Sequence, residues 1–286
     1  MQIRKLTRKE FPKALLEIPQ PPKELFVMGA LPPEDRIYLC VVGSRKYTTY
    51  GKECCEKIIA GLKGYPIVIV SGFAMGIDTI AHKKALSVGL PTLVFPGSGL
   101  NKEVIHPKMN IGLIDTILEN GGCFISEFAP DFKATTFSFP LRNRLMAGIS
   151  KAVLIIEAEE MSGTLITARL ATEYNRDVLT VPGSIFSQNS KGTNKLIRQG
   201  ATPVTCAEDV LDALGFEQNK DGEKQKQLFI DLSPEEKIVY DILREPTPRD
   251  DLIRAMKMPI PTANAILSVM EIKGLIKEEY GEIKLM

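Results

Sequence analysis

Six short apolar runs, at 38–42, 67–71, 92–95, 123–126, 152–157 and 178–181, recur through the middle of the chain, each rich in Val, Ile or Leu. A run with no polar residue at alternate positions has no face suited to water, so a strand built from it is covered on both sides, as in a parallel sheet. Helix-length stretches with 3.6-type apolar spacing lie between the runs, at 50–62, 75–88, 164–175 and 191–200. Strands alternating with helices predict βαβ units and an α/β fold, a Rossmann-like, doubly wound and mostly parallel sheet. The pattern gives the fold class but not the order of the strands.

The flanks read differently. Residues 1–37 hold seven Lys or Arg against five Asp or Glu and are broken by Pro19, Pro21, Pro22, Pro32 and Pro33. They read as a short N-terminal extension with one helix near 8–17. A polar linker occupies 215–231. In 232–286, Ser233-Pro234-Glu235-Glu236 is a helix start, with a serine cap, proline at the first position and acids in the first turn. Two more helices fit 249–256 and 261–273, and 275–285 alternates around Gly281 as a hairpin would. Three helices and a hairpin outline a small winged-helix domain, after the sheet domain at 38–214.

With 286 residues, 44% of them hydrophobic and 25% charged, the chain is long enough for one large domain and a satellite. No stretch approaches the roughly 18 apolar residues of a membrane span, and the N-terminus has no apolar signal core. Five cysteines, an odd number without a C-x-x-C pair, read as reduced thiols of a cytoplasmic protein. His82 and His106 are the only histidines, and neither joins a carboxylate cluster, so no metal and no cofactor are expected.

Candidate chemistry gathers where strands end and helices begin. Gly43-Ser44-Arg45 follows the first run, where unpaired N–H groups and a helix dipole suit an anion and a guanidinium adds a fork. The spacing to Gly51-Lys52 is too long for a Walker loop. Gly72 and Gly76 flank a second turn that permits close backbone approach. Ser71, Asp78 and His82 lack the G-x-S-x-G elbow of a catalytic triad, so His82 reads as structural. Phe139, Arg142, Asn143 and Arg144 offer an aromatic face and two guanidinium groups to a nucleic-acid strand. The other arrangement open to the arginines is pairing with Glu127 or Glu157; for Phe137 the core is favoured. Ser162-Gly163-Thr164 and Gly192-Thr193-Asn194 open two further helices. Ligands of open α/β sheets bind along this carboxyl edge.

Eight motifs fall in order here: V-V-G-S-R, S-G-F-A-M-G-I-D-x-x-A-H, F-P-G-S-G-L, S-E-F-x-P, F-P-x-R-N-R-L-M-A-G-I-S, E-A-x-x-x-S-G-T-L-I-T-A-R, V-P-G-S and K-G-T-N-K-L-I-R-x-G-A. The set resembles the DNA-processing protein A (DprA, or Smf) family over about 38–214. The resemblance implies a dimeric protein, not an enzyme, that binds single-stranded DNA and helps load the RecA recombinase during natural transformation. By position, Gly43, Ser44, Arg45, Gly72, Gly76, Phe139, Arg142, Asn143 and Arg144 would form the strand-binding pocket. Ser162, Gly163, Thr164, Gly192, Thr193 and Asn194 would line it. Many members carry an N-terminal helical domain for which 1–37 is too short. The first turn is G-S-R where G-T-R is frequent.

Charge by segment refines the expectation. The sheet domain holds 18 Lys or Arg against 16 Asp or Glu, and 232–286 holds 8 against 10. Net negative charge makes the winged-helix piece a poor phosphate binder; a protein partner, or its own sheet domain, suits it better. A phosphoribohydrolase-like enzyme, with Glu127 or Glu157 as acid, or a nucleotide sensor, remains the alternative. The P-G-G-x-G-T-x-x-E signature of such enzymes is absent. Val210, Leu211 and Leu214 form a stripe suited either to a dimer face or to packing on the sheet.

Overall fold

The computed structural model describes residues 2–33, 35–216, 233–243, 245–279 and 281–285. They fall into two compact units, Met1–Gln218 and Asn219–Met286. All six expected strands are present in the first: β3 (Ile37–Val42), β4 (Ile67–Ser71), β5 (Thr92–Val94), β6 (Cys123–Ser126), β7 (Ala152–Ile155) and β8 (Asp177–Thr180). Every residue of β4, β5, β6 and β7 is buried, which is what their unbroken apolar runs required.

The chain adds β1 (Ile3–Lys5), β2 (Phe26–Gly29) and β9 (Thr202–Pro203), giving one nine-stranded sheet in the order β1-β2-β6-β5-β4-β3-β7-β8-β9. From β6 to β9 all neighbours are parallel; β2 runs antiparallel to β6, and β1 to β2. The segment 1–37, expected as an extension, thus supplies two strands of the sheet. In place of a helix over 8–17 it forms a single 3-10 turn, Arg8–Glu10, and the short α1 (Lys13–Leu16). Leu6, Phe11, Leu15, Ile18, Leu25 and Val27 are all buried in the main core. The prolines that suggested an extended lead-in break this layer into short pieces while leaving its apolar side chains free to pack.

Alternation along the strands sorts the core into two faces. Leu39, Val41, Ile67, Ile69 and Leu154 pack under α2 (Thr49–Gly61), α3 (Ile77–Ser87) and α8 (Ala207–Ala213). Cys40, Val42, Val68, Val70 and Ile155 face α1, α5 (Ser138–Ile149) and α6 (Thr164–Glu173). The remaining helices of this unit are α4 (Gly112–Glu119) and α7 (Lys191–Arg198). Val210, Leu211 and Leu214 are buried against the sheet, so their stripe is core and not a dimer face. All five cysteines are free thiols.

The second unit runs α9 (Pro234–Ile242), β10 (Thr247–Pro248), α10 (Arg249–Ala255), α11 (Ile260–Ile272), β11 (Ile276–Glu279) and β12 (Glu282–Leu285). Its strands form an antiparallel sheet in the order β10-β12-β11. The expected cap is present: Ser233 Oγ accepts from Glu236 N at 3.2 Å, and Glu236 Oε2 accepts from Ser233 N at 2.9 Å. Gly281 takes the hairpin turn at φ +82. Of the expected linker at 215–231, only Gly215 and Phe216 lie within the described residues. Among the described residues no helix is long and apolar enough to cross a membrane.

Candidate nucleic-acid interface

The chain moves from β3 outward through β4, β5 and β6, then returns to place β7 on the other side of β3. Loops after β3 and β7 therefore diverge, and the crevice between them is the topological switch point where ligands of such sheets sit. A cavity of about 580 Å³ opens there. Gly43, Ser44, Arg45, Phe139, Arg142, Asn143, Ser162, Gly163 and Thr164 line it.

Each wall has a local cause. Ser44 Oγ accepts from Lys46 N at 3.0 Å, closing the turn and leaving Arg45 and Lys46 exposed. Neither has an ion-pair partner among the described residues. The Arg45 guanidinium lies 5.7 Å from the centre of the Phe139 ring, within cation–π range. A Cβ on Gly97 would meet that ring at 2.4 Å, so Gly97 makes its seat. On the far side Thr164 Oγ1 donates to Gly43 O at 3.2 Å, tying the start of α6 to the β3 turn. The N-terminus of α6 thus faces the crevice, presenting a partial positive charge.

The start of α2, where the sequence also suggested an anion, is filled from within. Glu157, 2% exposed, accepts from Thr48 N at 2.9 Å and from Thr48 Oγ1 at 2.5 Å. The protein's own carboxylate complements that helix dipole, and a ligand anion is left with α6 and Arg45.

The paired arginines divide. Arg142 is 5% exposed and turned inward. Its Nη1 donates to Gly72 O at 2.5 Å and to Phe95 O, and its Nε donates to Asn143 Oδ1 at 3.0 Å. Burial lowers its pKa to about 10, against the opposing pull of Asp78, so it stays charged at neutral pH. Arg144 donates to Glu127 and does not line the crevice. It is the ion-paired arrangement, not the phosphate fork, that Arg144 adopts. Phe137, expected in the core, is 80% exposed beside the crevice, because Ser138 rather than Phe137 turns into the helix–sheet layer.

Gly72 and Gly76 act behind the wall. A Cβ on Gly72 would meet Arg142 Nη1 at 2.5 Å; on Gly76, at φ +88, it would meet Ser44 O at 2.4 Å. Gly192, Thr193 and Asn194 also lie outside the cavity. Gly192 N donates to Ala158 O at 2.8 Å and Thr193 Oγ1 to Ser190 O at 3.0 Å. Asn194 Nδ2 donates to Gly183 O at 3.0 Å. These three fasten the neighbouring loops. Residues not singled out from sequence, Lys46, Thr136, Pro140, Met146, Glu159, Ile166 and Thr167, also line the cavity, as do Val42, Ala74 and Asp78. Helical spacing from Phe139 and Arg142 reaches Met146, and from Gly163 reaches Thr167.

Behind Arg142, Asp78 accepts from Gly72 N at 3.1 Å and Ala74 N at 3.3 Å. Burial raises its pKa, with Arg142 and the amides pulling it back. His82 does not face Asp78 as a triad would require. Its Nδ1 lies 2.5 Å from Thr92 Oγ1, whose own proton goes to Ile69 O at 2.9 Å. Nδ1 must therefore carry the hydrogen, and Nε2, buried without a partner among the described residues, has nothing to stabilise a second one. Burial holds the His82 pKa near 3, below its ordinary 6.5. From pH 6.5 down to 3 the unfolded chain gains this proton and the folded one does not, so acidification destabilises. The slope approaches about 1.4 kcal/mol per pH unit. Asp78, with a raised pKa, acts in the opposite sense. Urea melts across this window are expected to show a stability loss in the parent that His82→Gln lacks; equal slopes would remove His82 from the account.

The fold thus places the chain among Rossmann-like proteins whose ligands sit at the switch point, here followed by a winged-helix unit. Residues 2–215 match the family model of DNA recombination-mediator protein A, and residues 224–282 that of the DprA winged helix domain. The chain belongs to the DprA/Smf family. Protein Smf of Escherichia coli is 36% identical over 279 residues, covering 95% of this chain and 74% of that protein. The X-ray structure of DNA processing protein A from Streptococcus pneumoniae superposes with a TM-score of 0.69 at 39% identity, covering 74% of each chain. That of Helicobacter pylori, whose single-stranded DNA binding mode has been described, gives 0.66 at 31% identity, covering 75% of this chain and 96% of the other. Among the described residues no group of three or more His, Cys, Asp or Glu could hold a metal ion.

Proposed function

We propose that this protein binds single-stranded DNA in the switch-point crevice and acts as a recombination mediator. The observation that carries the reading is the exposed Arg45 beside the half-buried Phe139 ring, at the mouth of a crevice that α6 enters by its positive end. A phosphodiester takes the guanidinium and the amides, while an unpaired base stacks on the ring. Duplex bases are already stacked and offer no face to Phe139. Arg45, Lys46 and Arg142 outnumber Asp78 and Glu159 on the wall by one charge, so a single crevice binds weakly. Two linked crevices raise the effective concentration, which supports a working homodimer.

Family membership supports the further role, handing the strand to a RecA-type recombinase during natural transformation. The proposed activity is binding without chemistry, since Glu127 and Glu157, the candidate acids, are held by Arg144 and Thr48. The winged-helix unit suits a protein partner: α11 has no Lys or Arg anywhere along it, as its sequence IPTANAILSVMEI states. Fluorescence titration with oligo-dT and a duplex of equal length, at two salt concentrations, tests the reading. The expected result is tighter binding of the single strand, weakening as salt rises. Equal affinity for both forms, or base release from nucleoside monophosphates, would overturn it.

A further inference from the structure

At the opposite end of β3, about 20 Å away by strand length, the sheet carries a second cluster of charge. Arg36 immediately precedes β3, Lys151 precedes β7 and Arg176 precedes β8. These strands are neighbours, with Leu39 in register with Ala152 and Ala152 with Asp177. Lys151 and Arg176 therefore stand side by side at the N-terminal edge at strand spacing, about 4.8 Å, with Arg36 two residues further out on the lead-in to β3. The three cations wall a cavity of about 320 Å³ together with Lys13, Tyr38 and Ser150, and among the described residues no Asp or Glu is on its wall.

Basic residues at this edge have an ordinary task, since helix C-termini collect there. Arg176 Nη2 donates to Gly148 O at 3.0 Å and Lys151 Nζ to Leu214 O at 2.6 Å. Capping leaves several donors over. Arg36 has no side-chain partner among the described residues. Among the described residues Arg176 Nε, which is buried, has no hydrogen-bond partner, and neither has the Oγ of Ser150, a residue 1% exposed. Buried polar atoms are nearly always hydrogen-bonded. One acceptor with several oxygens could serve Ser150, Arg176 and Arg36 together.

We propose that this pocket is a second anion site, taking a phosphoryl group, with Tyr38 and Ile37 walling whatever the phosphate carries. It is independent of the crevice reading and would stand if that reading fell. Its phosphate comes from a free nucleotide or from the backbone of a bound strand.

The test uses the full chain, with melting followed as inorganic phosphate or thymidine monophosphate is added at constant ionic strength. A saturable rise in Tm is expected in the parent and in Arg45→Ala. In Arg36→Ala and Ser150→Ala the midpoint concentration should rise about tenfold, the effect of losing one charge-assisted bond. Arg36 has no side-chain partner among the described residues, so its loss is expected to leave the fold intact. A rise lost in Arg45→Ala but kept in Arg36→Ala assigns the phosphate to the crevice and overturns the proposal. So does a rise that chloride reproduces. Oligo-dT affinity falling in Arg36→Ala would identify the strand as source; a mononucleotide response alone identifies a free nucleotide.

Discussion

Arg142→Ala is expected to lower stability by about 3–5 kcal/mol, the usual result of removing one member of a buried charged group. The urea midpoint should fall while the dependence on denaturant stays constant, as for a loss of stability without change in the exposed surface. Three links break at once. The carbonyls of Gly72 and Phe95 lose their donor, Asn143 loses its anchor, and buried Asp78 loses the charge that offsets its desolvation. Arg142→Lys restores the charge but not the planar fork, so it should recover only part of the loss. A variant with the parent's midpoint and weakened DNA binding would instead put this side chain on the ligand.

For the same residue the sequence alone left both a phosphate contact and an inward pairing open, and the reason is physical. F-P-L-R-N-R marks the start of a helix beside a strand edge, and an arginine there suits a phosphate as well as a set of strand-end carbonyls. The choice depends on where Gly72 and Phe95 end their strands, which needs the order β5-β4-β3-β7. The apolar runs predict each of these strands to within two residues but say nothing about neighbours. Arg144 has the same ambiguity, resolved by Glu127 at the end of β6.

Other parts were hidden for different reasons. β1 and β2 sit in a proline-broken segment, where three- and four-residue strands carry no measurable period. Glu157 looked like a candidate acid because a carboxylate after a strand is common to catalytic and capping roles; Thr48, 109 residues away, decides for capping. By contrast, Gly43, Ser44, Arg45, Ser162, Gly163 and Thr164 were legible because a short turn between a strand and a helix can point only to the carboxyl edge. Gly72 and Gly76 were legible as close approaches, though the neighbours they admit are protein atoms.

Phe139 and Arg45 carry the second large effect, this time on binding. Phe139→Ala is expected to weaken single-stranded DNA affinity by about 1–3 kcal/mol, the worth of one stacked base, with a smaller change in salt dependence than the loss of a cation gives, because the Arg45 charge is kept and its phosphate contact is only weakened. Arg45→Ala should reduce the affinity and also make the log–log salt slope shallower by about 0.7, one counterion fewer for a single strand. The two side chains touch, so the double variant should lose less than the sum of the single ones. Without the ring, Arg45 loses its platform and its phosphate contact is partly gone already. Both effects should be alike for oligo-dT and mixed sequences, since neither contact reads a base edge. Strict additivity would place the ring and the guanidinium on separate nucleotides and break the link between the 5.7 Å approach and DNA binding. Parent-like affinity in both single variants would move the strand off this crevice altogether.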